Sequence, residues 1–210
     1  MKVTITRLYD DYVTAREAVL DVEAMGLSSK DISLIANNAP SSAGAPKKTK
    51  HDRDGNGVDD RVEGAEIGAG IGAALAGGAG LLAGLGVMAI PGLGPVIAVG
   101  WLASAGIGAI AGAAAGGIIG ALTQAGVSQE EAAIYVEGVR RGGTLLSAQV
   151  PAEDQARYEA ILDRSAVDIN DRRETYRKAG WSGYDPDALA PSAEQIYGER
   201  ETNIGMGRLP

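Results

Sequence analysis

The chain has no cysteine and one histidine, His51. The first absence excludes disulfides, thiolate metal sites and cysteine nucleophiles. The second excludes multi-histidine metal centres and leaves a Ser-His-Asp triad a single candidate base. Charge is also missing where it would be expected. Among 19 Lys and Arg and 27 Asp and Glu in 210 residues, none lies between Glu66 and Glu130, a run of 63 residues. The remaining 147 residues are about 31% charged, so neither a uniform globular composition nor a disordered chain describes the whole. A net charge of −8 argues against nucleic acid as a partner, because phosphate binding is driven by Lys and Arg displacing counterions. The start of the chain lacks the basic-then-apolar run of a signal peptide, so the folded parts are expected in the cytosol.

Outside the uncharged block the periodicity predicts an α+β fold. In residues 1–36, Val3 and Ile5 alternate with Thr4 and Thr6 as a strand. Asp10 or Asp11 then caps a helix with Ala15, Ala18, Val19, Val22 and Met25 on one face, stopped by Gly26, and Asp31 to Ala36 alternates again. Residues 37–63 form a polar, acidic linker. After the block, Ser128 and Glu131 make a capping box for a helix that turns Ala132, Ala133, Tyr135, Val136 and Val139 inward and ends at Arg140-Arg141-Gly142-Gly143. Thr144 to Val150 reads as a third strand, Glu153 to Leu162 as a helix and Ala166 to Ile169 as a fourth strand. The expected architecture is a small ferredoxin-like sandwich (β-α-β, then α-β-α-β) with helices on one face of an antiparallel sheet. Its halves, 1–36 and 127–181, are expected to fold together without the block, and 182–210 to be an extended arm. Glu130 and Glu131 are accounted for as charges at a helix N-terminus, and no matched acid and base stand out, so the chain is read as not an enzyme.

The block, 64–126, carries small residues every fourth position in two runs: Gly64, Gly68, Gly72, Ala76, Gly80 and Gly84, then Gly100, Ser104, Gly108, Gly112, Gly116 and Gly120. With the breaker Ile90-Pro91-Gly92-Leu93-Gly94-Pro95 between them, this predicts a glycine-zipper helical hairpin, 67–90 and 96–123, whose smooth ridges let backbones pack closely. Both helices are long enough for a hydrocarbon core of about 30 Å. Against insertion, Gly and Ala exceed half of the uncharged run, and Trp101 is its one aromatic residue. Three readings stay open: a transmembrane hairpin on the cytoplasmic side of the inner membrane, a soluble homo-oligomer with buried hairpins, and a switch between them. Each makes the block a self-assembly element. A dinucleotide-binding reading of Gly106-Ile-Gly108-Ala-Ile-Ala111 fails because no strand precedes it.

Before the block, residues 52–63 fit the twelve-position calcium loop. Asp52, Asp54 and Asn56 would give side-chain oxygens, Gly57 the sharp turn, Val58 its carbonyl, Asp60 a contact through water and Glu63 two oxygens. Asp59 stands where such loops carry an aliphatic residue, and neither an entering helix nor a second loop accompanies it. A solvated acidic linker is the competing reading.

This order of features resembles the bacterial general stress protein family with the heat-induced stress protein YflT-like domain, also labelled low-temperature-induced. The resemblance rests on Lys30-Asp-Ile-Ser-Leu-Ile-Ala36, the acidic Asp/Gly linker and the glycine runs around Ala89-Ile-Pro-Gly-Leu-Gly-Pro95. It is carried further by Val136-Glu-Gly-Val-Arg-Arg-Gly-Gly-Thr-Leu-Leu146 and by Ala166-Val-Asp-Ile-Asn-Asp-Arg172 leading to Ala179-Gly-Trp181. It covers about residues 1–185 and implies a stress-associated, non-enzymatic protein with a glycine-zipper insertion and no catalytic residues to carry over.

Overall fold

The computed structural model describes residues 1–37, 86–90, 93–102 and 114–185, together with 188–189, 191–192, 194–196 and 198–199. The first strand, β1 (Lys2–Tyr9), leads into helix α1 (Tyr12–Ala24), capped by Asp11, whose carboxylate accepts the Thr14 N–H at 2.8 Å. Gly26, at φ +100°, closes α1 in the left-handed region. Strand β2 is Ile32–Asn37. Next come β3 (Gly86–Ile90), β4 (Gly94–Val99) and helix α2 (Ala114–Gln124). Helix α3 (Gln129–Arg140) starts at the Ser128–Glu131 capping box, as expected. It is followed by β5 (Thr144–Pro151), α4 (Gln155–Leu162) and α5 (Ile169–Lys178).

The described strands form one antiparallel sheet in the order β1-β5-β2-β4-β3. Because β5 pairs antiparallel with both β1 and β2, those two run in the same direction with β5 between them. By the same reasoning β4 and β5 run together with β2 between them. Successive side chains leave a strand on opposite faces, and the core divides accordingly. Ile5, Tyr9, Ile32, Leu34, Leu146, Ala148 and Val150 pack under α1 and α4 with Val19, Val22 and Leu162. Leu8, Ile35, Val96, Ala98 and Leu145 pack under α2 and α3 with Leu122, Val136 and Val139. The antiparallel α+β character expected from the periodicity is present. The two-layer ferredoxin-like form is not, because helices cover both faces. Every residue of β2 is buried, as a central strand between two helical layers requires.

Three further expectations are corrected. The helical hairpin was to occupy 67–90 and 96–123, yet Gly86–Ile90 and Gly94–Val99 are strands that pair with each other, Ile90 opposite Gly94. Val96-Ile97-Ala98-Val99 is an aliphatic, largely β-branched run whose pleat fills both layers, and that burial outweighs the four-residue recurrence of glycine. The rest of the hairpin, 64–85 and 103–113, lies outside the described residues. No described helix is long and apolar enough to cross a membrane. The predicted strand Ala166–Ile169 is also absent. Asp168 there accepts the Asn170 N–H at 2.8 Å and caps α5, while the Val167 N–H donates to the Leu8 carbonyl at 2.8 Å along the outer edge of β1. The described part of the C-terminal arm is docked: Ile196 is buried, Leu189 contacts Arg140 at the end of α3, and Glu199 contacts Arg141 just beyond it.

The two sheet edges differ. On β1 the Thr6 carbonyl accepts from the Tyr135 hydroxyl at 3.1 Å and from Arg7 Nη1 at 2.9 Å, so charge and side-chain cover guard that edge. Strand β3, at the other edge, has no charged residue.

Candidate functional site

The calcium-loop residues Asp52, Asp54, Asn56, Val58, Asp60 and Glu63 lie outside the described residues, as do Gly64, Gly68, Gly72, Ala76, Gly80, Gly84, Ser104, Gly108 and Gly112. Three of the expected ridge positions can be placed. Gly116 and Gly120 are on α2, as a helical ridge requires. Gly100 is on no helix: it follows β4 at φ +83° and lets the chain pass close over Ile32 and Ser33.

Helix α2 buries Ile118 and Leu122 against β4 and α3. Gly120 points elsewhere, since a position two residues away on a helix lies about 200° around the axis. A Cβ at Gly120 would meet nothing within 4 Å among the described residues. The Gly120 position on α2 is therefore open among the described residues, and α2 lies within the uncharged block.

A second group of side chains was not anticipated. Glu137, on α3, sits between Val136 and Gly138 in a buried stretch, and its side chain is 3% exposed. A buried carboxylate needs partners, and it has two. Arg140 Nη1 lies 3.2 Å and Arg141 Nε 2.6 Å from Glu137 Oε1. Arg141 Nη1 also donates to Glu199 Oε1 at 3.1 Å, and its guanidinium carbon stands 4.5 Å from the centroid of the Tyr176 ring. Arg140 Nη2 donates to the Leu189 carbonyl at 2.8 Å. Burial acts to lower the Arg141 pKa, but Glu137, with help from Glu199, raises it overall. Burial pushes the Glu199 carboxyl upward, with Arg141 opposing and Glu137 adding to the rise. The Tyr176 hydroxyl is raised by burial, against the pull of Arg172 and Arg141. The signal for this group was present in the chain: an acid followed at three and four residues by arginines, inside an otherwise apolar helix face.

Between the end of α3 and the docked arm lies a cavity of about 630 Å³, lined by Arg140, Arg141, Leu189, Ser192, Gln195 and Glu199 among others. The arm holds its own shape there, with the Ser192 N–H donating to Gln195 Oε1 at 2.8 Å and the Gln195 N–H to Ser192 Oγ at 3.2 Å. A shallower recess of about 490 Å³ lies at the start of α3 beside Trp181, where Glu130 bridges to Arg177 at 3.1 Å. Glu130 lies in the first turn of α3. Compared with protein-family models, curated proteins and solved structures, the chain matches none.

Proposed function

We propose that this chain is a non-enzymatic stress-response protein that self-assembles through its uncharged Gly/Ala segment, in the cytoplasm as a large assembly. The observation that carries this reading is Gly120, where a Cβ would meet nothing within 4 Å among the described residues while Ile118 and Leu122 on the opposite side of α2 are committed to the core. A side-chain-free ridge permits close backbone approach between copies, where dispersion contacts accumulate along the seam. The uncharged edge of β3 adds a second surface at which self-pairing brings no like charges together. The stress-response part rests on the resemblance in the sequence to the general stress protein family.

Anchoring to a lipid bilayer is the alternative, and the lengths favour it less. With β3, β4 and α2 in the domain, the uncharged chain left over comprises 67–85, which is 19 residues, and 103–113, which is 11. Eleven helical residues reach about 16 Å, and a crossing takes about 20. A segment that leaves the sheet at Asn37 and returns to it at Gly86 must cross an even number of times, and 19 uncharged residues serve one crossing. Calcium would act as a modulator at residues 52–63, with the weak affinity of about 10⁻⁴ to 10⁻³ M of an unpaired loop. Calorimetry on the protein and on Glu63→Gln tests it: equal heats remove the site.

Native mass spectrometry over a range of concentrations, paired with flotation on phospholipid vesicles, tests the main reading. Species larger than a monomer that stay in the unfloated fraction are expected. A monomer at every concentration would overturn the reading, and quantitative flotation would replace it with the bilayer alternative.

A further inference from the structure

The cavity at the end of α3 holds two guanidiniums fixed in place before any ligand arrives. Glu137 anchors both, Tyr176 backs one and the Leu189 carbonyl holds the other. Such orientation removes much of the ordering cost that binding otherwise carries. Arg140 and Arg141 both engage the one buried carboxylate of Glu137. Glu199, delivered by the arm, pairs with Arg141.

Glu199 differs from Glu137 in how firmly it is held. Its side chain is 40% exposed against 3%, and it makes one ion pair to Arg141 where Glu137 binds both arginines. Burial acts against its charge more than Arg141 favours it. The remaining wall is suited to a small organic acid: Ser192 and Gln195 are neutral polar groups, and Leu189 and Pro191 are apolar. The carbonyl end of α3 disfavours an anion, and the guanidiniums offset this because bidentate arginine contacts to a carboxylate are the strong class of hydrogen bond.

We propose that this cavity is a binding site for small carboxylates, and that Glu199 occupies it as an internal ligand which an incoming carboxylate displaces, loosening the end of the arm from α3. A free dicarboxylate and the terminal carboxylate of a peptide present the same group, so both are candidate sources.

The test is isothermal titration of the full chain with succinate, with a short peptide bearing a free C-terminal carboxylate, and with inorganic phosphate, at constant ionic strength. Three proteins are compared: the wild type, Glu199→Gln and Arg141→Gln. Glu199→Gln removes the internal competitor without removing a buried partner, so succinate should bind it about tenfold more tightly than the wild type, the factor expected if the arm-open state is roughly a tenth of the population. Arg141→Gln should lose binding. Tighter binding of the peptide than of succinate assigns the site to chain termini, and the reverse to free acids; either supports the site. Equal or weaker succinate binding by Glu199→Gln, judged folded by its cooperative melt, overturns the proposal. So does phosphate binding as tightly as succinate, because the wall would then be reading charge alone.

Discussion

A Cβ on Gly100 would lie 2.8 Å from the Cα of Ser33 and closer still to the carbonyl oxygen of Ile32. This contact is where β4 leaves the sheet, and it is reinforced by the Ser33 hydroxyl, which donates to the Val99 carbonyl at 2.7 Å and accepts the Leu102 N–H at 3.1 Å. Gly100→Ala therefore meets backbone that cannot yield and a φ of +83° that alanine disfavours. We expect a loss of about 3 kcal/mol in denaturant unfolding. Gly26→Ala, at φ +100° but with nothing within 4 Å, should lose only about 1 kcal/mol. Equal losses at the two sites would show that Gly100 is not pressed against β2.

Glu137→Gln keeps the shape of a buried side chain and removes the charge that both Arg140 and Arg141 engage. The guanidiniums retain partial access to water, which softens the penalty, so a loss of about 2 kcal/mol is expected where a fully buried pair would lose more. A variant as stable as the wild type in thermal and denaturant melts would make the cluster energetically idle.

Tyr9, Tyr135 and Tyr176 are buried, and burial raises each hydroxyl above the ordinary value of 10.0. Tyr12 is pushed up to about 12 by burial, with Arg16 opposing. A raised folded pKa means that stability is fully present below the unfolded value and is lost as pH climbs from there toward the folded one. Stability should thus hold to about pH 10 and fall steeply above it. Tyrosinate absorbance of these residues should appear together with loss of circular dichroism, whereas ordinary titration near pH 10 in the folded protein would contradict their burial.

Much of the fold could be read from the chain wherever one signal acted alone. The Asp11 cap, the α1 stripe through Val19 and Val22, the Ser128–Glu131 box and the alternation in β1 and β5 all match the structure. Legibility failed where two signals competed. In 86–99, the glycine spacing on either side suggested helix, and the long-range pairing of β4 with β2, which no local window contains, decides for strand. At Asp168 the apolar neighbours Val167 and Ile169 suggested a strand, while the cap selected a helix. The Glu137 cluster depends on Tyr176 and Glu199, 39 and 62 residues further along the chain, and only the fold brings them together.

Because β4, Leu102 just beyond it and α2 supply Val96, Ala98, Leu102, Ile118 and Leu122 to the core, we expect 1–36 and 127–181 not to fold by themselves. Joining Ala36 directly to Ser128 should give a molten or insoluble product. Replacing only 38–85 with a Gly/Ser linker of about twelve residues should leave a cooperative domain, because Asn37 and Met88 both pair with Val96 from its two sides and lie only about 10 Å apart. A cooperative melt from the first variant, or none from the second, would contradict this assignment of the core.

Sedimentation velocity of Gly120→Leu beside the wild type tests self-assembly most directly. In the protomer a Cβ there meets nothing within 4 Å among the described residues and leucine replaces a poor helix former, so the thermal midpoint should hold or rise, by an amount corresponding to as much as about 1 kcal/mol. Between copies the same side chain would prop the ridges apart. The account predicts an assembled wild type and a folded variant shifted to a smaller species; a variant that sediments with the wild type would contradict it.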